Sequence, residues 1–263
     1  MPWLLPADQT VAHELVFGLG SYQATDGRFG TRKRYVGITT VFTGDGRYLL
    51  GSRTEAVPFE EYRGALLAAI QSAVESVREQ QAWRPNDPVR LIFHAFKPLK
   101  DAEVEAVEDL MRRLDLAHAR YAFLHVVDTH PFLLFDEAES GVKAPGGKKG
   151  AFAPPRGLCL LLSEHEALIA LKGAREVKQA SDGLPRPVVL RLHRGSTFHD
   201  MVYLSRQVMA FSCHSWRSFF PAPMPITIGY SDLIAEKLRL LQDVTGWSDD
   251  AVGGRIGRTR WFL

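Results

Sequence analysis

Cysteine is almost absent: Cys159 and Cys213 are the only two in 263 residues. Neither has a second thiol at metal-ligand spacing. One sits in an apolar run and the other beside His214, so two buried free thiols are expected rather than a disulfide framework or a zinc site. Long apolar runs are missing as well. The stretch from Gly157 to Ser163 falls far short of the roughly 20 residues that a membrane span requires. The N-terminus has no basic region followed by an apolar stretch, so the expected location is cytoplasmic, with no membrane contact. Charge of one sign is not in excess. With Lys+Arg 32 against Asp+Glu 30, the net charge is +2, which neither marks nor excludes a nucleic-acid ligand, because clustering on one surface decides that. Gly18-Leu19-Gly20 follows a strand-like run but lacks the third fingerprint glycine, which argues against a dinucleotide site.

What is present is enough apolar content, 46%, to bury one large core or two modest ones. His13 to Gly20, Tyr35 to Phe42 and Arg47 to Leu50 read as an antiparallel meander, turned at Thr43-Gly44-Asp45-Gly46. Tyr62, Leu66, Ile70, Val74 and Val77 mark a helix opening near Pro58, and Val104, Val107, Met111 and Leu114 mark a second. Val89 to Phe96 and Tyr121 to Val127 are buried strands between them. Asp136 to Arg156 reads as a mobile insertion, and Leu158 to Leu162 with Val188 to Leu192 as a peripheral hairpin. Met201, Leu204, Val208 and Phe211 give a third helix, Ile226 to Tyr230 a further strand, and Leu233 to Val244 a final helix. Strands first in a meander and then alternating with helices indicate an α/β protein with a mixed sheet flanked by helices.

Basic residues gather at Arg28, Arg32, Lys33 and Arg34, at Lys143, Lys148, Lys149 and Arg156, and at Arg255, Arg258 and Arg260. Each cluster is either a solvated loop or part of an anion-binding surface. The last four residues, Arg260-Trp261-Phe262-Leu263, place large apolar side chains where an exposed tail is usual, so the end should dock on the body of the protein.

An ordered set of motifs carries more specific information: Pro2-Trp3, Gly18-Leu19-Gly20, Thr129-His130-Pro131-Phe132, Trp216-Arg217-Ser218-Phe219, Ile226 to Tyr230, and Trp261-Phe262-Leu263. Taken together they resemble the PIWI domain of Argonaute proteins, in the short prokaryotic and archaeal Piwi-like branch. The resemblance covers nearly the whole chain and implies an RNase H-like fold in a single PIWI domain over residues 1–263, with a flexible insertion near 136–157.

The resemblance also assigns roles. Nucleolytic members carry metal-binding aspartates at positions that match Gly20 and Phe96 here, neither of which can coordinate a cation through its side chain. Asp232 matches a further position of the centre, where a helix-dipole role explains it better. No nuclease activity is therefore expected. The family pattern implies guide-phosphate contacts from Arg217, Ser218 and Tyr230, since a guanidinium fork and hydroxyls suit phosphate oxygens. His130 is either a guide contact or a buried, hydrogen-bonded histidine, and Lys148 and Lys149 are candidates from the basic loop. The terminal carboxylate of Leu263 is expected to help hold a Mg²⁺ against the 5′-phosphate of the guide. His94 and His125 read as structural, and His193, His199 and His214 form no ligand set.

The implied function is a catalytically inactive PIWI subunit in prokaryotic host defence. It would bind a 5′-phosphorylated guide, RNA or DNA, with its complementary target, and signal to an effector such as a sirtuin-like or Toll/interleukin-receptor-like protein. The chain starts just inside the point where such proteins pass from MID to PIWI. It is thus either a piece of a longer Argonaute or one half of a split one, and a MID-containing partner chain is expected. Two rivals stay open: an active metal-dependent nuclease built on Asp128, Asp200 and Asp232, and a scaffold subunit that binds no nucleic acid.

Overall fold

A computed structural model describes residues 4–6, 8–25, 32–52, 56–58, 62–84, 86–116, 118–242, 244, 259–260 and 262–263. Pro2, Trp3, Arg28, Arg255, Arg258 and Trp261 lie outside the described residues, as do the side chains of Arg32, Lys33 and Arg34. In chain order the elements are β1 (His13–Thr25), β2 (Arg32–Thr43), β3 (Tyr48–Ser52), β4 (Ala56–Pro58), α1 (Tyr62–Gln81), β5 (Val89–Ala95), α2 (Asp101–Arg113) and β6 (Arg120–Val127). There follow β7 (Val142–Ala144), β8 (Gly147–Lys149), β9 (Cys159–Ser163), β10 (Glu166–Ile169), β11 (Val188–Leu192), α3 (Met201–Cys213) and α4 (Ile226–Gln242).

The chain divides into two compact units, the first comprising Met1–Phe123, Gly195–Thr197 and Thr227–Leu263. Its strands run in the hydrogen-bonded order β3-β2-β1-β5-β6, with β4 on β2. The meander is antiparallel, and β5 joins β1 in parallel with Leu15 opposite Leu91 and Phe17 opposite Phe93. Alternation along β1 and β5 decides what each face meets. Leu15, Phe17 and Leu19, with Val89, Leu91, Phe93 and Ala95, pack on Leu66, Ile70, Val74 and Val77 of α1 and on Val104, Val107 and Met111 of α2. Phe17, Phe93 and Phe123 form a row of near-parallel rings with centroids 4.7 and 5.0 Å apart.

The other face carries Gly18, Gly20 and His94, and α4 lies on it. Thr40 Oγ1 donates to the Thr227 carbonyl at 2.8 Å, Ser231 Oγ donates to the Gly18 carbonyl at 2.8 Å, and His94 Nδ1 lies 2.9 Å from Thr227 Oγ1. Here the structure overturns the strand expected at Ile226 to Tyr230, because α4 begins at Ile226 directly after Pro225. Ile226, Tyr230 and Ile234 are buried at steps of four, and Thr227 and Ser231, also four apart, share the face that bonds to the sheet.

The second unit comprises Leu124–Arg194 and Phe198–Ile226. Its strands follow the order β6-β11-β10-β9, each pair antiparallel, so β6 contributes residues to both units. The expected direct pairing of Leu158 to Leu162 with Val188 to Leu192 does not form. Instead β10 lies between them, reached through a tight turn at Glu164 and His165. The segment near 136–157 holds a small hairpin, β7 with β8, turned at Pro145 and Gly146, with Gly146 and Gly147 both at positive φ. Phe152 ties its base, with its carbonyl accepting from Asp136 N at 3.0 Å and its amide donating to the Glu139 carbonyl at 2.8 Å. The expectation of two buried thiols also fails. Cys159 is half-buried and Cys213 is exposed at the last position of α3, where Arg156 donates to its sulfur at 2.6 Å. Among the described residues no helix is long and apolar enough to cross a membrane.

The seat of α4 gives a direct test. A Cβ at position 18 would lie 1.9 Å from the Thr227 carbonyl oxygen, whereas one at position 64 on α1 meets nothing within 4 Å. Gly18→Ala should therefore destabilise the fold by about 3 kcal/mol or more through overpacking against backbone, and Gly64→Ala should stabilise it by about 0.5–1 kcal/mol. Thermal melts followed by circular dichroism read both, and equal melting temperatures would refute this packing.

Candidate nucleic-acid interface

The three positions that the resemblance assigns to a nuclease centre, Gly20, Phe96 and Asp232, all lie in the first unit. The parallel register pairs Gly18 with His94 and Leu19 with Ala95, and Gly20 and Phe96 are the next residues along the two strands' directions. A Cβ at Gly20 would lie 2.8 Å from Ser231 Cβ and 3.0 Å from Asp232 Oδ1. Position 20 thus has neither a donor atom nor room for one, and Phe96 presents an exposed ring. Asp232 supplies the single carboxylate. It keeps accessible surface, yet desolvation over the buried sheet pushes it up to about 6, with Lys97 pulling the other way. This set does not fit a two-metal centre, which needs a carboxylate bridging two cations. Of the other carboxylates considered, Asp200 caps α3 by accepting from Tyr203 N at 2.9 Å, and Asp128 accepts from Thr129 Oγ1 at 3.1 Å.

The loop from His214 to Pro225, in the second unit, is held at both ends. Ala222 N donates to the Ser212 carbonyl at 2.7 Å, and buried His214 contacts the rings of Phe211 and Trp216 with centroids 6.5 and 5.9 Å away. Between these anchors Arg217 N donates to Ser215 Oγ at 3.3 Å, and Phe220 N to Ser218 Oγ at 3.0 Å. Arg217, Ser218, Phe219 and Phe220 consequently all face solvent. Arg217 and Ser218 are thus adjacent exposed residues, and a guanidinium and a hydroxyl are donors of the kind a phosphate accepts.

The remaining candidates divide. His130 is engaged internally: Phe132 N donates to its Nδ1 at 3.2 Å, so Nε2 carries the proton and donates to the Pro187 carbonyl at 2.8 Å. That arrangement favours the structural alternative over a guide contact. Tyr230 does not sit at a strand end facing a ligand. It is buried on α4 with its ring 5.4 Å from that of Phe262, because the helix turns position 230 toward the docked tail. In the hairpin, Lys149 Nζ donates to the Arg175 carbonyl at 3.1 Å, while Lys143 and Lys148 stand exposed and directly opposite each other. Like charges paired across strands are unfavourable alone and suit an anion laid over them.

The tail docks as expected. Phe262 is buried between Tyr48 and Tyr230, with centroids 5.9 and 5.4 Å away, and Leu263 beyond it is 45% exposed. The exposed rings of Phe219 and Phe220 had no assigned role in the sequence. Their signal was an aromatic pair between a serine and a proline in a loop.

No family model matches the chain. It does align over its full length with the Protein argonaute of Cereibacter sphaeroides, 38% identical over 267 residues, which is 34% of that protein. It aligns likewise with the Piwi protein of Archaeoglobus fulgidus, 24% identical over 272 residues and 61% of that protein. The chain thus spans between a third and about three fifths of these relatives. Solved structures share the RNase H-like fold. Clostridium butyricum Argonaute bound to a guide DNA and a target DNA superposes with a TM-score of 0.60 at 16% identity, over 88% of this chain and 28% of that one. Marinitoga piezophila Argonaute in complex with a 5′-OH guide RNA and target DNA gives 0.58 at 12% identity, over 84% and 29%.

The Asp232 carboxyl makes stability depend on pH with a definite sign. Its folded value is raised from 3.8 to about 6, so its contribution is fully present below the lower value and is lost as pH rises through the upper one. Asp232→Asn, a permanent stand-in for the neutral form, should melt with the parent at pH 3.5 and above it at pH 7.5. A difference that is constant across that range would show that Asp232 does not titrate in this way.

Proposed function

The chain belongs to the Argonaute–Piwi family, and from that premise we propose that it is a catalytically inactive PIWI subunit that holds a guide strand and its target. The observation that carries the inactive part is position 20, where α4 occupies the space a metal-binding side chain would need. The guide-binding part is supported by full-length relationship to an Argonaute, by solved Argonautes of the same fold that hold guide and target, and by the exposed Arg217 and Ser218.

In this reading Arg217 donates paired hydrogen bonds to a backbone phosphate, Ser218 adds a positioning bond, and Lys143 with Lys148 contributes charge farther along the strand. The protein reads backbone, and base pairing between guide and target supplies the sequence information. The Leu263 carboxylate would hold a Mg²⁺ that screens it from the guide 5′-phosphate, the chemistry being charge neutralisation between two anions. A MID-containing chain or segment completes the 5′-phosphate pocket. Target pairing is passed to an effector of the sirtuin-like or Toll/interleukin-receptor-like kind, in the cytoplasm, as part of host defence.

Cleavage is the first test. With a matched 5′-phosphorylated guide and labelled target, in Mg²⁺ or Mn²⁺, the target should remain intact, and robust metal-dependent cutting would refute the inactive assignment. The second test concerns Arg217. Arg217→Ala should weaken guide binding by about 1–3 kcal/mol, independently of sequence, and lower the salt slope of the affinity. Unchanged affinity and salt dependence in a folded variant would remove Arg217 from the interface. A third test extends the chain past Leu263, which converts the carboxylate to an amide. Preference for 5′-phosphorylated over 5′-hydroxyl guides should fall while the melting temperature holds, and full retention of the preference would leave Leu263 with no role in ion binding.

A further inference from the structure

Phe219 and Phe220 contribute nothing to the core. Phe219 is 110% exposed and Phe220 67%, the two most exposed large apolar side chains among the described residues. Their placement is fixed rather than incidental. The Phe220 amide is bonded to Ser218 Oγ at 3.0 Å, and the Ala222 amide to the Ser212 carbonyl at 2.7 Å. Prolines at 221, 223 and 225 restrict the backbone that follows. A loop so tied holds both rings in water, forgoing burial that any inward turn would give.

Charge selects what covers them. From Met201 to Ser231 the sequence has no Asp or Glu, while Arg206 and Arg217 are cationic, and Arg217 stands two residues before the first ring. An arginine beside exposed aromatic faces, in a stretch free of acid, matches a polyanion that also carries flat apolar faces. Among biological polymers that description fits an unpaired nucleic-acid strand, whose phosphates and bases alternate along its length. Within a duplex the base faces are covered, so access requires the single strand.

We propose that Phe219 and Phe220 form a stacking platform for unpaired bases of the strand whose phosphate Arg217 holds. This rests on the guide-binding reading and goes beyond it, since it assigns base contacts, insensitive to sequence, at the α3–α4 loop. Arg217 and the two rings act on alternate parts of one strand. The serine and prolines keep the rings apart from the fold, so they are free to stack.

The experiment compares two 5′-phosphorylated single strands, one with ordinary bases and one with abasic sites along its length, titrated against the full chain over a range of salt concentrations. The double variant Phe219→Ala/Phe220→Ala should bind the ordinary strand about 5- to 100-fold more weakly than the parent, with an unchanged salt slope. Parent and variant should bind the abasic strand equally. Phe219→Trp/Phe220→Trp, which keeps two stacking faces, should restore affinity for the ordinary strand. Equal losses on both strands, or no loss on either while the parent binds, would overturn the platform and leave the guide-binding reading standing. Failure of the parent to bind either strand would overturn that reading and the platform with it. If the alanine pair leaves strand binding intact and instead releases a co-purifying protein, the rings belong to a protein interface and the proposal is overturned.

Discussion

The closeness of α4 to β1 is the constraint on which the first unit depends. Helices ordinarily rest on sheets through interleaved side chains. Here a helix carbonyl, that of Thr227, occupies the place a strand Cβ would take at Gly18, so backbone meets backbone. Such an approach buries polar main-chain atoms, and it is stable because Thr40, Thr227, Ser231 and His94 bond across it. The position of every other residue on α4 follows. Tyr230 is turned to the tail, and Asp232 comes to the end of β1.

The two faces of the same strands do different work. One is a continuous apolar layer in which α1 and α2 cover Leu15, Phe17, Leu91 and Phe93, and its contribution is rigidity. The other is polar and close-fitting. In the second unit, described by itself, the candidate contacts for a ligand lie on loops: the tied segment from Ser215 to Phe220 and the β7–β8 hairpin with Lys143 and Lys148. That division, a stiff scaffold with exposed presenting segments, is the usual arrangement for binding surfaces.

Much of the architecture was legible in the sequence, because α1, α2 and α3 repeat apolar residues at helical spacing and β5 and β6 are short, mostly apolar runs. Where reading failed, two patterns coincided or a signal was missing. Ile226, Ile228 and Tyr230 alternate like a strand, but Ile226, Tyr230 and Ile234 also fall at steps of four. Proximity to Gly18 decides for the helix, and no local count contains it. The strand β10 went unnoticed because Glu164 and His165 make its turn without glycine, proline or asparagine. The same blindness affects sites. Arg217 and Ser218 were found through an ordered motif and are exposed. Tyr230 came from the same motif and is buried, since a change of element rotated it inward. His130 was undecidable until the Pro187 carbonyl, remote in sequence, appeared at its second nitrogen. Phe219 and Phe220 have no role that the sequence assigns, because exposure is a property of the fold, not of the chain.

The sandwich of Phe262 between Tyr48 and Tyr230 has a historical implication. Tyr230, Ser231 and Asp232 are consecutive on α4, so the residue that grips the tail is joined rigidly to those that fill the space above Gly20. An aspartate arising at position 20 could be accommodated only by displacing that turn, and the same displacement would loosen Phe262. A lineage with this packing cannot acquire a carboxylate there by one substitution without also disturbing its chain end. The intermediate would be poorer at both tasks. Position 20 is in this sense locked by its neighbours, because the turn that excludes a side chain there also holds Phe262 in place.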